Sequence, residues 1–482
     1  MFDLRPAIYL TGWLVLGLGL SMLIPFVVDL QLGAPDPFVF LQSAVVTGLI
    51  GFSFIVTCAS ADRSRLSLQQ IFILTTGVWV ILPIFGAIPI LLDVAGLSFT
   101  DAFFEAVSGL TTTGATVLTD LQNQPPGLLL WRGMLQWFGG VGIVVVAMVF
   151  LPELRVGGMQ IFRSEGFDTF GKILPRAAEI ARSVFTIYLG LTVACVVAYS
   201  FSGMGFFDAV VHAMTTLATG GFANYDDSFG SLGAGAEYAC VLFMLLASLP
   251  FVRYVQMLGQ DLTPIFKDPQ VRGFLYCIIA LVAMLVIWRS LFITTNFEAA
   301  FRKALFNGVS IMTGTGFASD NYMLWGSFPV ALLFFAGLIG GCAGSTTCSI
   351  KIFRYQLLFA AVRTQIRRLH MPHGVFHPRY GGTRISDEIL SSVIAFFIMF
   401  FISLVVIAVL LGITGLDFIT SVSGAVAALA NVGPGLGPII GPAGNYESLS
   451  DAAKWILTFA MLLGRLELMA VFVLFTSYFW RG

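Results

Sequence analysis

Asp101-Ala-Phe-Phe-Glu105, followed by Thr111-Thr-Thr-Gly114-Ala115, decides the fold, because its pattern returns three times further along the chain. The second copy is Asp208-Ala-Val-Val-His212 with Ala218-Thr-Gly-Gly221-Phe222. The third ends Thr313-Gly-Thr-Gly316-Phe317, and the fourth ends Asn431-Val-Gly433-Pro-Gly435. The four anchor glycines stand at intervals of 107, 95 and 117 residues, so one unit of about 100 residues repeats over most of the chain. Each copy opens with an apolar stretch of about a dozen residues, too short to cross a bilayer and suited to a re-entrant half-helix. Irregular backbone at membrane depth survives where it lines a water-filled cavity.

Composition sets the medium around these segments. Of 482 residues, 57% are hydrophobic and 11% charged, with a net charge of −1. A soluble chain carries about a quarter charged residues, so this one uses lipid as part of its solvent. A net charge of −1 argues for neither nucleic acid nor a strongly acidic partner, so membrane lipid and no nucleic acid is the expectation. Runs of about 20 apolar residues predict ten spans, near 7–31, 37–58, 70–95, 128–151, 182–202, 236–259, 273–294, 328–352, 389–412 and 452–479. With the N-terminus inside, 19 of the 25 basic residues fall on cytoplasmic segments, which places both termini in the cytoplasm. The exceptions are Arg132, Arg289, Arg302, Lys303, Lys454 and Arg465.

The expected fold is an all-α polytopic membrane protein. Four pseudo-symmetric helix–pore helix–helix repeats surround a central ion pore, and two extra N-terminal transmembrane helices precede them. The corresponding divisions are 1–68, 69–160, 161–265, 266–385 with a broken second helix, and 386–482. The chemistry follows from the residue types around the glycines, which are Thr, Gly, Ala and Asn, without Asp or Glu. Glycine lets successive carbonyls turn toward one axis, and a ring of carbonyls replaces the hydration shell of a weakly hydrated cation. The candidate filter is Thr112, Thr113, Gly114, Thr219, Gly220, Gly221, Thr315, Gly316, Asn431, Val432 and Gly433, holding the ion through backbone carbonyls only. Asp101, Asp208, Glu298 and Asp417 suit the positive starts of the half-helices, and Thr295-x-x-Glu298 has capping-box spacing. Small residues also pack helices closely, but four copies in register on one membrane side favour a filter.

Several motifs then bring a family into view. Thr112-Thr-Gly-Ala-Thr116, Gln136-Trp-Phe-Gly-Gly140, Gly340-Gly-Cys-Ala-Gly-Ser-Thr346, Asn431-Val-Gly-Pro-Gly-Leu-Gly437 and Gly464-Arg-Leu-Glu467 resemble the Trk/Ktr/HKT potassium transporters, most of all the Trk-H type of bacterial Trk systems. The resemblance covers essentially the whole chain. It implies K+ as the transported ion, filter glycines at Gly114, Gly221, Gly316 and Gly433, and a homodimer in the bacterial inner membrane. It also implies a cytoplasmic nucleotide-binding regulatory subunit of the Trk-A type; no nucleotide site is evident in this chain. Relatives that favour Na+ replace the first filter glycine with serine, and Gly114 therefore supports K+.

The resemblance further implies a gate below the filter. Arg465 stands near mid-membrane in the last predicted span, where a charge is expensive and faces a cavity or a partner. Glu467, two residues on, is a poor intrahelical partner for it. Gly340, Gly341, Gly344, Ser345, Thr346 and Thr347 interrupt the eighth predicted span, and the family reading is an intramembrane loop that obstructs the pore. Relatives continue with more glycines where this chain has Thr347-Cys348-Ser349, which stiffens the segment. The six cysteines read as small buried hydrophobes, and His370, His373 and His377 as a solvated basic surface. Glu467 and these histidines converge on no nucleophile, so the chain has no catalytic residues and is not an enzyme. The alternative to a gated pore is a K+ symporter coupled to H+ or Na+. Against it, the repeats read as parallel and proton-relay acids are lacking.

Overall fold

The computed structural model describes residues 3–60, 67–149, 157–159, 177–257 and 263–481. The boundary expected at 160/161 lies outside the described residues. So do Arg63, Arg65, Arg155, Arg163, Lys172 and Arg176. Among the described residues the architecture is helical, with only two pairs of two-residue strands. Among the described residues seven helices are long and apolar enough to cross a membrane, or nine if each of two bent pairs counts as one span. The chain is an all-helical, multi-span membrane protein.

The first span, Arg5–Leu32, breaks at Met22 into Arg5–Ser21 and Leu23–Leu32. Pro25 accounts for the break: it lacks an N–H, and its ring collides with the carbonyl one turn earlier. Phe38–Thr57 packs tightly on this span through glycines. A Cβ on Gly51 would lie 2.6 Å from the Leu16 nitrogen, and one on Gly19 would lie 2.9 Å from the Gly48 nitrogen. Small residues let such backbones touch.

Three predicted spans need correction. Residues 236–259 do not run straight: Ala234–Ala247 and Phe251–Met257 meet at 88°, because Pro250 disfavours helical geometry at the residue before it. The span expected at 452–479 is Asp451–Arg465 and Leu468–Leu474, bent by 111° where Glu467 takes φ 58°. The span expected at 328–352 is helical only over Ser327–Ala336. An irregular segment follows, closed by the parallel pair Ile339–Gly340 and Ile350–Lys351. Helix Ile352–His370 begins where that span was expected to end.

Four short helices fill the positions expected of the half-helices: Phe99–Leu110, Phe206–Leu217, Phe297–Met312 and Phe418–Leu429. Their caps follow elementary rules. Ser98 accepts from the Asp101 nitrogen, and Asp417 accepts from Ile419 and Thr420. Asn296, rather than the expected Thr295, caps the third.

Candidate functional site

Each short helix stops in the same way. The N–H groups of Thr113, Gly220, Thr315 and Val432 all donate at 2.9 Å, to the carbonyls of Ser108, Thr215, Ser310 and Ala427 respectively. The preceding residues bond three positions back, Thr112 to Gly109, Thr219 to Thr216, Gly314 to Ile311 and Asn431 to Ala428. This is the Schellman arrangement, which needs a left-handed residue just past the helix. Thr112, Thr219, Gly314 and Asn431 supply it at φ 52°, 50°, 72° and 51°. Two residues later Gly114, Gly221, Gly316 and Gly433 are left-handed again, at 84°, 78°, 81° and 95°. Holding a non-glycine residue there costs about 1–2 kcal/mol, and three of the four loops carry one, a form of strain that clusters at functional sites.

The four loops close on one another in chain order. A Cβ built on Gly114 would lie 2.1 Å from the Gly220 oxygen, on Gly221 2.0 Å from the Thr315 oxygen, and on Gly316 2.0 Å from the Val432 oxygen. Gly433 completes the circuit at 2.6 Å from the Thr113 oxygen. Any side chain at these positions would push apart two backbones. Eight of the eleven residues expected in the filter make these approaches, and Thr112, Thr219 and Asn431 stand just before them in the same loops. Gly314 has the same place in the third loop, two residues before an anchor glycine as Thr112 is, and is absent from the candidate filter of the sequence analysis.

One face of helix Pro126–Val149 holds the first two loops. Arg132 pairs with Glu105 at 2.8 Å and donates to the Ala223 carbonyl at 3.0 Å, its guanidinium 4.1 Å from the centre of the Phe222 ring. Glu105 also accepts from Thr116 Oγ1 and the Val117 nitrogen, both at 2.9 Å. Gln136 donates to the Gly220 oxygen at 2.6 Å and accepts from the Phe222 nitrogen at 3.1 Å. A Cβ on Gly139 would lie 1.8 Å from the Leu110 oxygen, and one on Gly140 2.9 Å from the Ala218 Cα. Positions 132, 136, 139 and 140 share a helix face, which accounts for the Gln136–Gly140 motif. The sequence analysis assigns Arg132 and Glu105 no role; the signal available is a basic residue on the outer side, which holds few basic residues and many acids. Asn431 ties the fourth loop to the first through Thr113 Oγ1 at 2.9 Å, and Tyr446 does so by donating to Gly433 at 2.7 Å and Thr116 at 2.8 Å.

The two sides of the ring differ. On the side of the four glycines a vestibule of about 250 Å³ reaches Gly114, Gly221, Gly316 and Gly433, with Asp226 on its wall. On the other side, residues 346–349 lie across all four helix ends. Thr346 Oγ1 is 3.4 Å from Thr219 Oγ1, and Cys348 Sγ is 3.6 Å from Thr112 Oγ1. Cys348 Cβ is 3.6 Å from the Cβ position of Gly314, and the Ser349 nitrogen donates to the Ala430 carbonyl at 3.0 Å. The rest of the segment is tied down: Cys342 and Thr346 donate to the Ser248 and Ala247 carbonyls, Ala343 to Gln270, and Ser345 Oγ meets Thr347 Oγ1 at 2.7 Å. Gly344 accepts from the Phe251 nitrogen, Gly341 accepts from the Ile352 nitrogen, and Gly340 lies against the Cys348 carbonyl.

Arg465 stands beside this segment, 3% exposed. It donates to Cys348 Sγ, to the Thr346 oxygen at 3.3 Å and to the Gly139 oxygen at 3.2 Å, and no carboxylate among the described residues pairs with it. Glu467 pairs instead with Arg354, which also donates to the Gly157 oxygen and lies 3.7 Å over the Phe396 ring. The basic run beginning at Lys351 is therefore not all surface: Arg354 is buried and Lys351 donates to the Thr347 carbonyl, whereas Arg363, Arg367, Arg368 and the three histidines are exposed. All six cysteines are free, yet Cys348 is more than a small apolar filler, since it touches both Thr112 and Arg465.

The comparisons with known proteins agree on one relationship. The family model described as TrkH, cation transport protein, matches residues 38–480. The chain is 44% identical to the Trk system potassium uptake protein TrkI of Halomonas elongata, over 97% of this chain and 95% of that protein. It is 37% identical to the Trk system potassium uptake protein TrkH of Escherichia coli K12, over 99% of each. The crystal structure of the potassium transporter TrkH from Vibrio parahaemolyticus superposes with a TM-score of 0.91 at 33% identity and covers 100% of both chains.

Proposed function

The chain belongs to the TrkH family of cation transport proteins, and we propose that it moves K+ through the ring of four loops, with residues 340–349 and Arg465 as its gate. At the coarser level it is a Trk-system potassium uptake transporter and not an enzyme. The observation that carries the finer reading is the closed circuit of glycines and carbonyls, built from four helix ends of one geometry. Four such C-termini aim the negative ends of their dipoles at one place, and a carbonyl ring suits a weakly hydrated monovalent cation. The four units at 69–160, 161–265, 266–385 and 386–482 are the pseudo-symmetric repeats around this pore. The two helices before them, in 1–68, are the additional N-terminal pair. As a Trk membrane subunit it works as a homodimer in the bacterial inner membrane, both termini cytoplasmic, under a nucleotide-binding regulatory partner.

The test is flux by the purified protein in liposomes with K+, Rb+ or Na+, with and without a proton gradient. A K+ gradient alone is expected to drive flux, K+ and Rb+ outrunning Na+. Flux that requires a proton or Na+ gradient would transfer the reading to a symporter, and equal K+ and Na+ flux would remove the filter assignment.

Two substitutions address the gate. Arg465→Ala removes a buried cation beside the path and is expected to raise K+ flux roughly tenfold, the value of about 1.4 kcal/mol on the barrier. It also weakens dependence on the regulatory partner; a variant with unchanged flux and unchanged regulation sinks the idea. Cys348→Gly removes the contacts to Thr112 and Arg465. Losing a bond worth about 0.5–1.5 kcal/mol should raise resting flux roughly two- to tenfold. Resting flux at the wild-type level would mean that the backbone alone, not this side chain, stops the ring.

A further inference from the structure

We propose that a cavity of about 670 Å³ on the membrane face of the N-terminal half is a binding site for one acyl chain of a membrane lipid. Its walls come from three spans, Arg5–Leu32, Gln69–Asp93 and Pro126–Met148. Trp13, Gly17, Val78, Trp79, Phe138 and Gly142 are among its lining residues.

Three observations commit the site to a lipid tail. The volume lies within the range of roughly 300–1,000 Å³ that ligand sites occupy. The lining is almost wholly apolar, and its two hydroxyls are already used: Ser21 donates to the Leu18 carbonyl at 2.7 Å and Thr75 to the Ile71 carbonyl at 2.8 Å. Water needs about two to four polar partners, and the side chains here offer at most the indole N–H groups of Trp13 and Trp79. The rim residues Trp13 and Leu14 are exposed on helices that cross the bilayer, so the mouth opens into hydrocarbon.

The inner end of the cavity is the reason to pursue it. It is closed by Leu110, Trp79 and Gly139. Leu110 is the last residue of the first short helix, and its carbonyl is the atom that a Cβ on Gly139 would strike. The Gly139 carbonyl accepts from Arg465, and the Trp79 ring centre is 5.6 Å from the Arg465 guanidinium carbon. A chain seated to full depth therefore bears on the groups that hold Arg465. That coupling rests on the gate reading; the site itself does not.

The experiment uses the full chain in phospholipid nanodiscs containing a trace of phosphatidylethanolamine with an alkyl diazirine at one acyl terminus. After irradiation, adducts are mapped by mass spectrometry. Labelling is expected to concentrate on 78–82 and 138–146, well above the lipid-exposed face at Val193 and Val197, which reports ordinary boundary lipid. Gly17→Phe fills the cavity, since a Cβ there meets nothing within 4 Å. It should cut labelling in the cavity about tenfold, the effect of excluding roughly two methylene groups from burial, and leave the Val193 face unchanged. Gly142→Leu, whose Cβ would sit 3.8 Å from Trp79, provides a second filling variant. Labelling spread evenly over all exposed faces would overturn the proposal. So would cavity labelling that survives both substitutions, or a disulfide between two copies carrying Trp13→Cys, which would make the occupant a second chain. The wild-type map decides the matter even where a variant folds poorly.

Discussion

A single methyl group at Gly221 is expected to abolish potassium uptake. Gly221 sits at φ 78°, and the added Cβ lies 2.0 Å from the Thr315 oxygen and 3.1 Å from its carbonyl carbon. The obstacle is backbone that cannot swing aside, because Thr315 is anchored by its N–H to Ser310 and by its hydroxyl to Thr313 at 2.7 Å. The left-handed conformation alone costs alanine about 1–2 kcal/mol. Relieving the contact separates the second and third loops by about 1 Å, a misplacement that costs roughly 100-fold in a preorganised site. Gly190→Ala is the control, since its Cβ meets nothing within 4 Å. Uptake of K+ or Rb+ in transport-deficient cells, normalised to the amount of inserted protein, gives the readout. Gly221→Ala within twofold of wild type would show that the ring does not carry the ion.

Glu105→Gln is expected to produce the second large effect, a loss of roughly 3–5 kcal/mol of stability with weakened discrimination between K+ and Na+. The change keeps the shape of the side chain but leaves Arg132 charged and buried without its counter-ion. Replacing both partners by apolar residues is often neutral for a buried pair, but not here. In Glu105→Leu with Arg132→Met, the Val117 nitrogen and the Ala223 carbonyl are orphaned, while Thr116 Oγ1 keeps only the bond it accepts from the Leu118 nitrogen. Each orphaned group costs about 1–3 kcal/mol. Unfolding in detergent and ion competition during flux measure the two consequences. A double variant with wild-type stability and selectivity would reduce the pair to replaceable filling.

The four anchor glycines were legible because their signal is local: each follows a dozen apolar residues at a near-constant interval. The Gln136–Gly140 motif was legible as a motif but not as a clamp, since its partners, Gly220 and Phe222, lie 84 and 86 residues away. The bend at Pro250 has a local cause, the proline itself, which the sequence displays. The break at Glu467 had none: its left-handed backbone accompanies an ion pair to Arg354, 113 residues earlier. Cys348 read as apolar filling because nothing near it in the chain reveals Thr112 or Arg465.

By itself the sequence determined the medium, the helical class, the fourfold repetition and the positions where a Cβ is forbidden. Those properties depend on hydrophobic run length and backbone conformation, which short stretches of chain express on their own. Only the tertiary structure decided how the four loops close, what braces them and what lies across their lower side. Most of these are contacts between residues roughly 80 to 330 apart in sequence, and even the nearer pair Glu105–Arg132 spans 27 residues; they are governed by distance and desolvation, and no periodicity in the chain encodes which groups meet.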